Sequence, residues 1–395
     1  MIMSIAVKID GFISQSSLIR RMFEEGIELK KQFGPQNVFD FSLGNPDVPP
    51  PQIFQDELRR LVEEEMDGKH AYMPNAGYPA TRQAIAGYLS GIHGNEILLD
   101  QLVMTCGAGG ALNVIFKTLL DPGDEVVVPS PCFVEYAFYV DNAGGIVKYV
   151  ASKDDFSLDL QAIEDGITQK TKAILINSPN NPTGKVYDAA SIANLAGILV
   201  RKSRQFGRSI YLISDEPYSD IVYDGIQVPS IFKAYPNSII ASSYSKTLSL
   251  AGERIGYIAA NPAIEDEKQL MAGLILCNRM LGFVNAPALM QRVVARLQGV
   301  KVDVAVYKRK RDLLCEGLAN AGYDIVKPEG AFYLFPKTPI PDDVAFAETL
   351  KKYRVLTVPG SGFVGPGHIR IAYCVDDEKI INAMEGFEKA MKEFK

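Results

Sequence analysis

The sequence predicts an α/β fold with a mostly parallel sheet, and three observations lead to this prediction. Short apolar runs recur between residues 98 and 260 without the apolar–polar alternation of half-solvated strands, as expected for strands buried on both faces. The segments between the runs are long enough for helices, as in βαβ units. The length of 395 residues, with 47% hydrophobic and 22% charged content, is typical of a globular chain with more than one core.

Six apolar runs are candidate strands of this sheet. They occupy residues 102–104, 126–128, 174–176, 210–213, 239–240 and 255–258. Between them, residues 111–120 are a predicted helix that ends before the turn formed by Asp121, Pro122 and Gly123. Residues 191–206 are a second predicted helix, closed by Gly207. This order of strands and helices favours a parallel sheet between helices.

The last third of the chain predicts a smaller α+β lobe. Residues 302–318 are a charged amphipathic helix, and residues 331–335 and 369–373 are alternating strand candidates. Near the other end, residues 17–32 are helix-like and precede the proline-rich segment 44–51. Because prolines stiffen the backbone, we predict a domain boundary near this segment.

Composition excludes several classes of function. The 41 basic and 47 acidic residues leave a net charge of −6 without a basic segment, which argues against nucleic-acid binding. Three histidines without paired spacing argue against a histidine-ligated metal. Five scattered cysteines indicate a reducing compartment and no structural zinc. With no apolar run near the roughly 20 residues of a membrane span and no export signal, we predict a cytoplasmic enzyme.

Small and polar residues follow the predicted strands, where ligands bind in an open parallel sheet. The glycine-rich segment 107–110 leads from the first run into a helix, so its N–H groups are suited to an anion, although such glycines also form ordinary tight turns. It is no dinucleotide fingerprint, because Leu112 occupies the third glycine position. The next strand end, residues 178–184, has the composition of a turn.

Two later strand ends carry groups for chemistry. Asp215 and Tyr218 follow one run, although acids at this place also occur as solvated helix caps. The next run is followed by two hydroxyls and two cations that suit a phosphate, namely Ser243, Ser245, Lys246 and Arg254. Lys246 would then be available for a catalytic role. The same Ser-x-x-Lys spacing occurs in serine acyl-enzymes, but their Ser-Asp-Asn and Lys-Thr-Gly elements do not occur here, so this reading ranks lower.

Together these residues resemble the class I/II aminotransferases, pyridoxal-phosphate (PLP) enzymes of the aspartate aminotransferase fold type. Residues 243–256, SYSKTLSLAGERIG, are similar to the family's whole lysine-attachment signature. The companion motifs follow in the family's order at residues 44–47, 72–77, 107–110, 181–184, 215–218 and 369–371. The resemblance covers roughly residues 15–390 and implies PLP-dependent transferase fold type I. It implies a large PLP-binding domain over residues 46–284 and a small domain built from residues 1–45 and 285–395.

The resemblance also implies how the cofactor pyridoxal 5′-phosphate is bound. Lys246 would hold it as a Schiff base and, once freed, would move a proton between the substrate Cα and the cofactor C4′. Asp215 would pair with the protonated pyridine nitrogen and so maintain the ring as an electron sink. The other implied cofactor contacts are Ala108, Gly109, Ser243, Ser245 and Arg254 at the phosphate, Phe133 on the ring face, Asn181 and Tyr218 at the phenolic oxygen, and Tyr72 from the neighbouring subunit.

Substrate binding is implied for Arg370, Asn181 and Gly44. Arg370 would clamp the α-carboxylate, and the alternation in residues 369–373 places it on the face opposite the isoleucines, although a lone strand arginine is more often a surface charge. Gly44 would let the chain pass close to the same carboxylate. Because Tyr72 would cross between subunits, the resemblance implies a homodimer with shared active sites.

The implied reaction is ping-pong transfer of an amino group between an L-amino acid and a 2-oxoacid through a pyridoxamine form. A PLP-dependent C–S β-lyase of the same fold is the alternative, whereas a PLP-binding transcriptional regulator would need a DNA-binding module. Arg279 is the one candidate for a second cation that would favour dicarboxylic substrates, although it could be an ordinary interface or surface arginine. Two departures from the family are Ala108 and Gly109 in place of a hydroxyl residue, and Phe133 in place of tyrosine or tryptophan.

Overall fold

The computed structural model describes residues 5–15 and 17–394, so residues 1–4, 16 and 395 of the predicted small domain lie outside the described part. The strands are β1 (Phe39–Asp40), β2 (Leu102–Thr105), β3 (Glu125–Ser130), β4 (Ile146–Ala151), β5 (Thr171–Asn177), β6 (Tyr211–Asp215), β7 (Ser238–Ser243), β8 (Gly256–Ala260), β9 (Tyr333–Leu334), β10 (Val355–Leu356), β11 (Val358–Pro359) and β12 (Ile369–Ala372). The helices are α1 (Val7–Gln15), α2 (Ser17–Phe33), α3 (Gln52–Glu63), α4 (Pro79–His93), α5 (Gly107–Leu119), α6 (Glu135–Asn142), α7 (Leu160–Gly166), α8 (Ala189–Phe206), α9 (Ile231–Ala234), α10 (Tyr244–Thr247), α11 (Glu267–Met280), α12 (Ala288–Ala295), α13 (Val304–Ala321), α14 (Asp343–Lys352) and α15 (Asp377–Lys392).

Seven strands form the central sheet in the order β2-β8-β7-β6-β5-β3-β4. The strands from β7 to β4 in this order are parallel, and only β8 runs antiparallel to its neighbours β2 and β7. Each predicted apolar run overlaps one strand of this sheet, which confirms the mostly parallel prediction. The sequence did not reveal β4, because this edge strand leaves Ile146 and Tyr149 exposed and so lacks a continuous apolar run.

Helices cover both faces of the sheet. Because side chains alternate along a strand, Met104 faces a core that also contains residues of α3, α4, α8 and α12, while Val103 faces residues of α5, α6 and α11. The same division occurs in β6, where Leu212 belongs to the first core and Ile213 to the second. A third apolar cluster joins α13, α14 and α15 to β9 and β12.

This third cluster is the core of a smaller α+β region. A three-stranded antiparallel sheet, β11-β12-β9, lies there beside the parallel pair β1-β10. Phe41, which follows β1, contacts Phe387 of α15 with 5.9 Å between ring centroids, so residues from near both chain ends share the core.

The glycine-rich segment and one predicted strand change their extent. Residues 107–110 are the first turn of α5 and not a turn ahead of it, since packing against the sheet overrides the weak helix propensity of glycine. The strand predicted over residues 331–335 is only Tyr333–Leu334, because Ala331 has a positive φ of 56° that breaks the extended backbone. None of the described helices is long and apolar enough to cross a membrane.

Candidate active site

The carboxyl ends of β5, β6 and β7 border a cavity of about 320 Å³ that also reaches α5, α6 and the small region. Every site residue predicted from the sequence lines this cavity except Tyr72. The lining residues from that prediction are Gly44, Ala108, Gly109, Phe133, Asn181, Asp215, Tyr218, Ser243, Ser245, Lys246, Arg254 and Arg370. The described residues contain no cluster of three or more histidine, cysteine or acidic side chains that could hold a metal.

Asp215, at the end of β6, has one satisfied and one unsatisfied carboxylate oxygen. Its Oδ2 accepts a hydrogen bond of 2.6 Å from the Tyr136 hydroxyl. Its Oδ1 is buried without a hydrogen-bond partner among the described residues. Burial raises the pKa of Asp215 to about 7, although the bond from Tyr136 acts in the opposite direction. A cationic N–H donor beside Oδ1 would satisfy this atom and stabilise the ionised carboxylate.

Lys246 lies in the single turn of α10, directly after β7. Its Nζ donates a hydrogen bond of 2.8 Å to the Gly44 carbonyl and lies 5.4 Å from the Phe332 ring centroid. Burial, aided by the charges of Arg370 and Arg254, lowers the pKa of Lys246 to about 8. A substantial fraction of the amine is therefore neutral near physiological pH, as a nucleophile requires.

One end of the cavity is suited to a phosphate. Ala108 and Gly109 lie in the first turn of α5, where free N–H groups and the helix dipole favour an anion. Arg254 approaches this turn so closely that a Cβ on Gly107 would lie 2.9 Å from its Nη2, and the positive φ of 70° at Gly107 favours glycine there. The hydroxyl residues Ser243 and Ser245 line the same cavity.

Arg370, in β12, is a buried cation without a carboxylate partner among the described residues. Its Nη2 donates to the Ser42 carbonyl at 2.6 Å and its Nη1 to Asn181 Oδ1 at 3.2 Å, whereas its Nε has no partner. Desolvation lowers the pKa of Arg370. The rings of Tyr333 and Phe363 lie 4.8 and 4.4 Å from its guanidinium carbon. A buried guanidinium without a counter-charge is suited to bind a carboxylate ligand.

Two lining residues that contact these groups, Tyr136 and Tyr333, were not predicted from the sequence. Tyr136 holds Asp215 and also packs edge-to-face against Phe133, with 5.5 Å between the ring centroids. Tyr333 places its hydroxyl 2.8 Å from that of Tyr218. The closeness of Tyr136 to Phe133 in the chain was a usable signal, since Phe133 lies two residues before α6 and Tyr136 lies in the first turn of this helix. For Tyr333 no such signal exists, because its position depends on the pairing of β9 with β12.

Tyr72 and Arg279, two residues with roles suggested by the sequence, do not line the cavity. Tyr72 is 91% exposed and lies near Phe283 and Val284. Arg279 is exposed near the end of α11. A separate cavity of about 450 Å³, bordered by α4 and by residues 216–229 and 297–301, shares only Ser243 with the predicted site.

The fold and the cavity define a pyridoxal-phosphate enzyme of the aspartate aminotransferase fold type. An unsatisfied acceptor on Asp215 suits the pyridine N–H, a lysine of lowered pKa suits the aldehyde, and the start of α5 with Arg254 suits the phosphate. Residues 36–387 match the family model described as "Aminotransferase class I and II". The chain belongs to this family and is a PLP-dependent aminotransferase.

Three proteins similar to this chain are named as aminotransferases. A probable aspartate aminotransferase of Methanocaldococcus jannaschii is 35% identical over 353 residues, covering 87% of this chain and 91% of the relative. A solved aminotransferase of Eubacterium rectale is 42% identical with a TM-score of 0.96 over 99% of both chains. The aspartate aminotransferase of Thermus thermophilus solved with maleate is 31% identical, with a TM-score of 0.83 over 95% of this chain and 96% of that one.

Proposed function

We propose that this aminotransferase moves an amino group between aspartate and a 2-oxoacid and that the sequence-predicted residues perform the reaction. The observation that carries the proposal is a pair of buried, unsatisfied polar atoms in one cavity, Asp215 Oδ1 and Arg370 Nε. Asp215 Oδ1 suits the N–H of the cofactor ring, and Arg370 Nε suits a substrate carboxylate. Lys246 lines the same cavity with its amine partly neutral.

When bound, PLP would supply an electron sink for negative charge at the substrate Cα. Asp215 holds the positive charge of the ring nitrogen, and Tyr136 holds Asp215 in turn. Lys246 would hold the cofactor and, once released, would move the proton between the substrate Cα and the cofactor C4′. Asn181 and Tyr218 serve the phenolic oxygen, and Phe133 packs on the ring face. These roles agree with the lining of the cavity.

Two anionic groups are held at separate cations. Arg254, the first turn of α5 at Ala108 and Gly109, and the hydroxyls of Ser243 and Ser245 bind the phosphate. Arg370 binds the substrate α-carboxylate with Asn181 beside it, and Gly44 leaves room for this contact. With Lys246 assigned to the cofactor, each of the three described cations that line the cavity, Lys246, Arg254 and Arg370, has a role other than binding a side-chain carboxylate.

We propose that a second subunit supplies the missing cation for aspartate, namely its Arg279. The relatives named aspartate aminotransferase and the neighbour solved with maleate, a dicarboxylate, support a dicarboxylic substrate. Arg279 is exposed on α11 next to the exposed apolar side chains of Leu276 and Met280, as expected of an interface. Tyr72 is similarly exposed, and in a homodimer we assign it to the phosphate of the partner's site.

We further propose that the chain forms two domains and that the protein is cytoplasmic. The packing of α12 against α3 and α4 supports two domains with the second boundary after α12, rather than at residue 285. All five cysteines are free and support a cytoplasmic location.

Transamination predicts that aspartate alone bleaches the visible absorbance of the purified, PLP-loaded protein in one half-turnover, and that a 2-oxoacid restores it. Stopped-flow absorbance measures both steps. The reason is that the amino group stays on the cofactor until an acceptor arrives. A C–S β-lyase would instead release ammonia and a 2-oxoacid continuously from a cysteine conjugate without an acceptor, and such turnover without bleaching would contradict transamination.

Arg279→Ala should lower the ratio of kcat/KM for aspartate to kcat/KM for alanine about tenfold, the effect of one charge-assisted contact worth ~1.4 kcal/mol. Mixed dimers of Lys246→Ala and Arg279→Ala chains test the shared site. The intact Lys246 then lies opposite an intact Arg279 of the other chain, so these dimers should retain the wild-type ratio at their working site. An unchanged ratio in Arg279→Ala, or a mutant ratio in the mixed dimer, contradicts the assignment.

A further inference from the structure

Tyr333 contacts both the cofactor side and the carboxylate side of the proposed site. Its hydroxyl lies 2.8 Å from the Tyr218 hydroxyl, and its ring centroid lies 4.8 Å from the Arg370 guanidinium carbon. Resting on the function proposed above, we propose that Tyr333 is a positioning residue with two separable roles. Its hydroxyl directs the proton of Tyr218 to the phenolic oxygen of the cofactor, and its ring orients Arg370 for the α-carboxylate.

The sheet explains why Tyr333 reaches both groups. Tyr333 in β9 pairs with Ala372 in β12, and Arg370 lies two residues before Ala372. Residues two apart on a strand share one face, so Tyr333 and Arg370 are diagonal neighbours on the same side of the sheet. Tyr218 packs against the ring of Tyr333 with 5.7 Å between centroids and an interplanar angle of 81°.

A count of protons gives the direction of the hydrogen bond between the two phenols. Each phenol has one proton, and the Tyr333 hydroxyl makes no other hydrogen bond among the described residues. Tyr333 is only 2% exposed, and burial raises its pKa to about 12, so it retains its proton. If Tyr218 were the donor, the buried proton of Tyr333 would have no acceptor. Donation from Tyr333 to Tyr218 leaves the Tyr218 proton free for the cofactor and satisfies both groups.

This direction also strengthens the contact to the cofactor. A phenol that accepts a hydrogen bond becomes a better donor, because neighbouring hydrogen bonds polarise each other. Stronger donation to the phenolic oxygen stabilises its negative charge. This hydrogen bond would therefore favour loss of the proton from the nitrogen that joins Lys246 to the cofactor. The midpoint pH of the visible absorbance titration would be lower as a result.

The ring of Tyr333 acts on a different group. Arg370 has no acidic partner among the described residues, and the aromatic rings of Tyr333 and Phe363 both contact its guanidinium. The negative faces of aromatic rings attract a cation and restrict its orientation without neutralising it, so the guanidinium stays available for a carboxylate. A Cβ on Gly44 would overlap the Tyr333 phenol, so the glycine at residue 44 also serves to place this side chain.

Two substitutions separate the roles in the PLP-loaded enzyme. Tyr333→Phe removes only the hydroxyl, so the midpoint of the absorbance titration should rise by about half a pH unit. The dissociation constant of maleate, used as a non-reacting carboxylate, should stay within about twofold because the ring remains. Tyr333→Leu also removes the ring, so it should show the same spectral shift and about a tenfold weaker affinity for maleate. Neither readout requires turnover.

Two controls make the proposal specific. Tyr323→Phe removes another buried phenol, whose hydroxyl donates to the Phe387 carbonyl away from the cavity, and should change neither readout. In a Tyr218→Phe background, Tyr333→Phe should produce no further spectral shift, because its effect passes through Tyr218. An unchanged titration in Tyr333→Phe overturns the first role, and unchanged maleate affinity in Tyr333→Leu overturns the second. Failure of the wild-type enzyme to bleach with aspartate overturns the proposed function alone.

Discussion

Lys246→Ala should abolish the visible absorbance of the attached cofactor and lower kcat by at least about 10⁴-fold, the upper range for losing a positioned acid–base group. The physical reason is that, in the proposed mechanism, this amine both holds the cofactor and carries the proton at Cα. It is the only lysine that lines the cavity among the described residues. Absorbance of the purified variant with added PLP and single-turnover bleaching by aspartate measure the two losses.

The fold should survive this substitution. Lys246 is a desolvated amine with a lowered pKa, so alanine removes a buried charge that burial destabilises, and the melting temperature of the cofactor-free protein should not fall. In the wild type, PLP attachment should accelerate as the pH rises through about 8, because only the neutral amine is nucleophilic. A variant that keeps the visible band would assign attachment to another lysine.

Asp215→Asn should lower kcat/KM by about 10²–10³-fold, the usual effect of losing one preorganised electrostatic contact. The amide preserves the shape of the side chain but has no charge to hold the ring nitrogen protonated. Steady-state kinetics with aspartate measure the loss. Because the buried Oδ1 makes no hydrogen bond to the described residues, the substitution breaks no existing contact at that atom, and the fold should be retained.

Tyr136→Phe is the matched, milder variant. It removes the 2.6 Å hydrogen bond to Oδ2 and leaves the charge of Asp215, so we expect about a tenfold fall, equivalent to one charge-assisted bond of ~1.4 kcal/mol. Together the variants should form a graded series in both kcat/KM and PLP affinity. A Tyr136→Phe effect as large as that of Asp215→Asn would contradict a supporting role for Tyr136.

Several elements were predictable because their signals are local. The apolar runs located six strands of the central sheet, and Gly207 correctly closed α8 with a left-handed φ of 63°. The alternation around Arg370 correctly separated its face from that of the neighbouring isoleucines, and Arg370 lines the cavity. The edge strand β4 was not predictable because it lacks a continuous apolar run, and the short extent of β9 was not predictable because no sequence pattern reveals the positive φ of Ala331.

By itself, the sequence determined the class of fold, the family and the chemical types of the groups at the strand ends, because periodicity and motifs are properties of adjacent residues. The tertiary structure decided which distant groups meet: Lys246 with Gly44, Arg370 with Ser42, and Tyr218 with Tyr333. It also shifted their pKa values, since burial raises the pKa of Asp215 and lowers the pKa of Lys246. Burial and register are set by the packing of segments far apart in the chain, and no local pattern encodes them.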